Sequence, residues 1–166
     1  MANKVTERGI HTLKSWERYR ATPYNDGKGV ISIGFGHSSL SQIYPFTDIS
    51  MWTIEYATIV LYADLAEIST RIDPEIKVEI PDDLYSCIMS LCYNKGVGRL
   101  IRSDNWKILH DTSDKYHKEA FCESILKYAI EAPNKVTGEM EEKKGLRWRR
   151  IAEAALFLQD RSPTYL

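Results

Sequence analysis

Between Trp16 and His37 the sequence reads WERYRATPYNDGKGVISIGFGH, and within it Glu17, Asp26 and Ser32 stand nine and then six residues apart. Glu17 falls at a helix end, Asp26 in a turn and Ser32 in the strand that follows. The turn can fold the aspartate back toward the helix, so the three polar groups can line one wall. A carboxylic acid that protonates a leaving oxygen, with a second group that stabilises an oxocarbenium-like centre or positions water, is what cleavage of a glycosidic bond requires. Glutamate, aspartate and a hydroxyl meet that need. The same spacing also describes an exposed helix-end glutamate, a turn aspartate and a strand serine, and spacing alone leaves both readings open. Glu17 does carry one physical mark: a carboxylate near the carbonyl end of a helix is electrostatically disfavoured, which tends to raise its pKa.

The elements that must position these residues follow from pattern. Val5, Ile10, Leu13, Trp16 and Tyr19 recur at mostly three-residue intervals, predicting an amphipathic helix over 5–19 with Thr6 as its cap and Glu17 in its last turn. NDGKG, from Asn25 to Gly29, supplies the Asp-Gly step of a tight hairpin. The second strand, GVISIGFGH, should place Val30, Ser32, Gly34 and Gly36 on one face and Ile31, Ile33, Phe35 and His37 on the other. Glycines on the Ser32 face leave room for something to approach the backbone. Thr53 is expected to cap a long helix ending near Ile72, before Asp73 and Pro74. Pro81, Asp82 and Asp83 open another helix, which closes at Asn94-Lys95-Gly96. Ser103 and Ser113 read as caps of two more, APNKVTGEMEEKKG as a loop of mixed charge, and Gly145 onward as a final helix. A small hairpin beside a mainly helical body is an α+β arrangement with a cleft between lobes.

At 166 residues the chain fits a single domain over 1–166. Its lobes are a hairpin lobe over about 17–52, a linking helix over about 53–72, and a helical lobe over about 73–166 that takes in the helix at 5–17. Lys and Arg number 22 against 23 Asp and Glu, so no global field draws the protein to a polyanion. The amino-terminal stretch has no apolar run of the length that a signal peptide or membrane anchor needs, so the chain is expected to stay in the cytoplasm where it is made unless something carries or releases it, with no membrane insertion. Cys87, Cys92 and Cys122 are odd in number and lack paired spacing, and read as small buried hydrophobes.

The stretch from Glu17 to His37 resembles the catalytic region of the phage-type lysozymes, the muramidases that bacteriophages use as endolysins. Their pattern is Glu, eight residues, Asp, five residues, Thr, then Ile-Gly-x-Gly-His; here it is Glu17, Asp26, Ser32, Ile33, Gly34, Phe35, Gly36, His37. SLCYNKGVG, Ser90 to Gly98, resembles the family's aromatic-Asn-x-Gly helix end, and GLRWRRIAEAALF, Gly145 to Phe157, its arginine-rich last helix. The resemblance implies a lysozyme-like fold and hydrolysis of the beta-1,4 bond between N-acetylmuramic acid and N-acetylglucosamine in bacterial peptidoglycan. It implies no metal, no cofactor, a monomer, and action on the cell wall after release by a holin or another delivery system. Carried over, Glu17 would be the general acid, with Asp26 and Ser32 holding the attacking water or stabilising the sugar cation. Tyr93 and Asn94 would face the cleft and bind sugar, with a helix-terminating core aromatic and cap as the alternative reading of the pair, and Arg147 would orient Glu17 from the opposite lobe, with Arg149 and Arg150 as surface or lobe-to-lobe pairs. His37 would pair with Asp64 on the long helix as a buried structural contact.

Two departures bear on activity. Ser32 keeps the hydroxyl of the family's threonine but loses the methyl that restricts its rotation. Arg18 stands where glycine usually follows the acid, so the helix end should differ, and its cation lies close enough to weaken a proton donor. These departures motivate a rival reading as a peptidoglycan-binding or structural module without turnover. A second rival is nucleic acid, suggested by the five cations around an indole in KKGLRWRR; a helix would spread those cations over several faces instead of forming one stripe.

Overall fold

A computed structural model describes residues 3–25, 29–133, 140–142 and 144–159, with side chains considered outside 130–133 and 140–142. Helix α1 spans Glu7–Glu17, and the Thr6 hydroxyl accepts from the Gly9 amide at its start. Gly9 has a packing role: a Cβ there would sit 2.6 Å from the Cβ of Ser86, so its bare backbone lets α1 close on the central helix. The helix ends at Glu17 because Arg18 leaves helical space, with φ 51° and ψ 120°, while its amide still donates to the Lys14 carbonyl. An arginine therefore occupies the left-handed region where glycine is favoured, and the residual strain is about 1–3 kcal/mol.

Strand β1, Arg20–Asn25, pairs antiparallel with β2, Ile31–Gly34, placing Tyr24 opposite Ser32 and Asn25 opposite Ile31. The single strand expected through His37 is broken in two. Gly34 and Gly36 take φ of 66° and 89° and turn the chain, and a short β3, His37–Ser38, folds back antiparallel so that His37 faces Ile33. Strict alternation fails as a result: Ser32, Ile33, Gly34 and Phe35 are all buried in succession.

Helix α2, Ile54–Ile72, starts as expected, with the Thr53 hydroxyl accepting from the Tyr56 amide. Its 19 residues span about 28 Å at 1.5 Å per residue, and it runs from the small sheet to the helical body. A 3-10 turn at Asp73–Glu75 carries Pro74. Helix α3, Asp82–Lys95, is buried without a break from Leu84 to Cys92, the signature of a helix surrounded by others. It ends at Gly96, with φ 83°.

The short α4, Val97–Ile101, has no forecast in the sequence pattern. Ser103 caps α5, Asp104–His110, as expected. Ser113 caps nothing. Its hydroxyl is bound to Asp111, the turn runs on with the Tyr116 amide donating to Asp114, and α6 begins only at His117 and runs to Ser124. After a 3-10 turn, Ile125–Ala129, the expected mixed-charge loop includes a two-stranded ribbon, β4 Ile130–Pro133 against β5 Met140–Glu142. Helix α7, Lys144–Leu158, closes the helical body against α3, α1 and α6. The result is the α+β arrangement expected, and Cys87, Cys92 and Cys122 are free thiols inside it.

Candidate active site

Glu17 is the last residue of α1, and two features set the state of its carboxyl. Its side chain is 17% exposed, so the acid is shielded yet reachable. Burial raises the carboxyl above its ordinary 4.5, Glu153 adds to that, and the nearby Arg149 and Arg150 oppose it without reversing it. Arg18, the cation suspected from sequence, is exposed, and the charges acting on Glu17 come from α7 instead. Arg149 Nη2 lies 2.6 Å from Glu17 Oε1, a close ion pair. The other oxygen, Oε2, packs beside Gly36, where a Cβ would stand a tight 3.3 Å away.

Arg149, then, and not Arg147, faces the acid. The reason is helical phase: two residues apart on a helix is about 200°, and with α7 starting at Lys144 its inward face carries Arg150, Glu153, Ala154 and Phe157, while Arg147 is exposed. Arg149 and Arg150 are 5% and 0% exposed, so neither is a surface residue. Glu153, which the sequence did not single out, joins them. Its Oε1 accepts from Arg149 Nε at 3.0 Å, from Arg150 Nη2 at 3.1 Å and from Ser90 Oγ at 2.7 Å. The available signal was an Arg-Arg-x-x-Glu run inside an apolar-periodic helix, which forces two cations and an anion onto the buried side.

Asn94 is half-buried at the end of α3, and its amide oxygen accepts from Arg150 Nη2 at 3.0 Å. It belongs to the support of the charge cluster. Tyr93 stands beside Gly36, its ring carbon 3.9 Å from where a Gly36 Cβ would be. Its hydroxyl donates to the Phe35 carbonyl at 3.0 Å and to Asp64 Oδ2 at 3.3 Å, and burial first, then the charges of Asp64 and Glu17, keep it a phenol. Ser32 is buried in β2, between Tyr24 and Ser38 of the flanking strands. Asp26 lies outside the described residues, as do Gly27 and Lys28.

His37 and Asp64 meet. His37 Nδ1 is 2.8 Å from Asp64 Oδ1, and Nε2 is 3.0 Å from the Ile43 carbonyl. Both ring nitrogens thus face acceptors, which assigns a doubly protonated imidazolium. Burial works against that charge, but Asp64 and the Ile43 and Tyr44 backbone outweigh it and hold the histidine above its ordinary 6.5. Among the described residues, no group of three or more His, Cys, Asp or Glu is arranged to hold a metal.

Comparison with known proteins gives the family and the fold. Residues 14–153 match the family described as Phage lysozyme. The endolysin of Acyrthosiphon pisum secondary endosymbiont phage 1 is 27% identical over 153 residues, covering 92% of this chain and 97% of that protein. The SAR-endolysin of Bacteriophage PS34 is 35% identical, over 49% of this chain and 47% of its own length. In fold, the muramidase domain of SpmX from Asticaccaulis excentricus superimposes with a TM-score of 0.79 at 20% identity, over 95% of this chain and 99% of that one.

Proposed function

This chain belongs to the phage lysozyme family and is a peptidoglycan hydrolase of glycoside-hydrolase type, and on that premise we propose that it is an N-acetylmuramidase that lyses bacterial cell walls with Glu17 as its general acid. The bond cut is the beta-1,4 linkage from N-acetylmuramic acid to N-acetylglucosamine. The observation that carries this reading is the division of the Glu17 carboxyl, still 17% exposed, with Oε1 against Arg149 and Oε2 beside Gly36.

That division suits an acid in both halves of its work. Before reaction, burial favours the neutral carboxyl, and the proton belongs on Oε2, the oxygen a bridging sugar oxygen can reach. As the bond breaks, the proton passes to the leaving oxygen and Glu17 becomes a carboxylate. Arg149, 2.6 Å from Oε1, then faces a full negative charge and stabilises it. Asp26 and Ser32 take the second role by the family pattern, holding water or easing the sugar cation. Tyr93, beside Gly36, forms a wall for the sugar face. Arg18 keeps the helix end at Glu17 by accepting a strained backbone, which answers one of the two objections that motivated a module without turnover, the other being Ser32.

Two of the five cations in the last-helix motif are buried and paired, which supports a wall substrate over nucleic acid. Mass analysis of muropeptides released from purified sacculi is the test. Reducing-end N-acetylmuramic acid products from wild type, absent with Glu17→Gln, are the expected result; equal release by both proteins would sink the assignment.

A further inference from the structure

A fully buried carboxylate is costly unless it is paired, and Glu153, 0% exposed, is paired with two arginines at once. Its Oε1 accepts from Arg149 Nε, while Nη2, the neighbouring nitrogen on the same edge of that guanidinium, reaches Glu17. Its Oε2 stands 2.9 Å from Arg150 Nε, and Ser90 fixes the carboxyl from α3. One guanidinium edge is thus shared between two carboxyls. Without Glu153, both nitrogens of that edge would be free to engage Glu17, and Arg150 would lose the anion that balances it. Both changes favour the carboxylate form of a group that must begin as an acid. The groups that bear on Glu17 from other elements are Arg149, Arg150 and Glu153 of α7 and Tyr93 of α3, with Asp64 of α2 acting behind Tyr93.

We infer that Glu153 is a positioning residue for the reaction: it holds Arg149 by Nε so that only Nη2 meets Glu17, and it balances Arg150, which keeps Glu17 able to carry its proton. This rests on the reading of Glu17 as the acid. The experiment is a cycle of Glu153→Gln, Arg150→Met and the double variant. Each is followed by wall clearing against pH and by carboxyl-carbon NMR titration of Glu17, assigned through Glu17→Gln.

Glu153→Gln is expected to move the Glu17 titration, and the alkaline limb of activity with it, down by about one pH unit. Arg150→Met moves both up, and the double variant, in which a cation and an anion are removed together, returns close to wild type. Should Glu153→Gln fail to fold, the step from Arg150→Met to the double variant reads the same contribution. A uniform loss at every pH with an unmoved Glu17 titration overturns the inference and leaves Glu153 a packing group. Because the titration needs no turnover, a shift as stated alongside wall clearing by Glu17→Gln upholds the coupling and removes Glu17 from the acid's role instead.

Discussion

His37 and Glu17 are both shielded, titratable and set against an oppositely charged partner, yet they are built to different ends. At His37 the ring nitrogens each have an acceptor, and Asp64 is tied in turn to the Tyr93 hydroxyl. That node joins the small sheet, α2 and α3, and every donor on the ring is used. At Glu17 the ion pair with Arg149 takes up Oε1, and Oε2 lies beside Gly36 with the side chain still 17% exposed. A titratable group with all its partners in place holds structure; one that keeps an oxygen outside its ion pair has capacity for a reactant. The contrast gives a geometric basis to the different roles that the family resemblance implies for the two residues.

The largest effect that tests this contrast is on the reactive side. Glu17→Gln is expected to lower the rate of muropeptide release by about 10²–10⁴-fold while leaving the thermal midpoint within a few degrees of wild type, because Arg149 keeps Glu153. A melting temperature that falls steeply would mean Glu17 is a structural partner after all.

On the other side, Asp64→Asn should cost about 3–5 kcal/mol of stability, since it strands a charged imidazolium that is 2% exposed. Urea titration measures it, and activity per folded molecule should persist. The wild-type pH dependence follows from the raised His37 value: its stabilisation is complete below the ordinary histidine pKa of 6.5 and is lost as pH climbs through the higher folded-state value. Urea midpoints taken from pH 6 to 9 should show that decline in wild type and lack this contribution in His37→Gln. A decline of equal size in both would break the contrast.

Gly36 is where the two regions touch, one residue before His37 and beside Glu17 Oε2. Gly36→Ala puts a side chain at φ 89° and 3.3 Å from Glu17 Oε2, so it should cost about 1–2 kcal/mol and, by displacing the carboxyl, also depress turnover. Loss of stability with unchanged turnover would show that the placement of Oε2 against Gly36 does not matter to the reaction. The smallest effect is at Arg18, where glycine would relieve the φ of 51°; a gain of about 1 kcal/mol in the urea midpoint, with an unchanged slope and rate, is expected.

Much of the frame was legible because its signals are local. Thr6, Thr53 and Ser103 cap through their own hydroxyls, and Gly96 stops α3 through its backbone. What escaped depends on choices among similar signals. Alternation from Val30 to His37 could not say that the glycines at 34 and 36 turn the chain. Ser113 lost to Tyr116 because the aspartates at 111 and 114 hold the intervening turn. In the site, Glu17 carried a mark of its own, whereas choosing among the arginines at 147, 149 and 150 required the phase of α7. Glu153 escaped because only the arginines of that helix carried a family motif, and its burial depends on the same phase.

The three thiols offer a use of their own. Cys87, Cys92 and Cys122 are 0%, 2% and 0% exposed, on α3 and α6, so no alkylating reagent can reach them until the helices separate. Under native conditions their modification rate would therefore count how often the helical body opens, giving a clock for this protein that needs no denaturant.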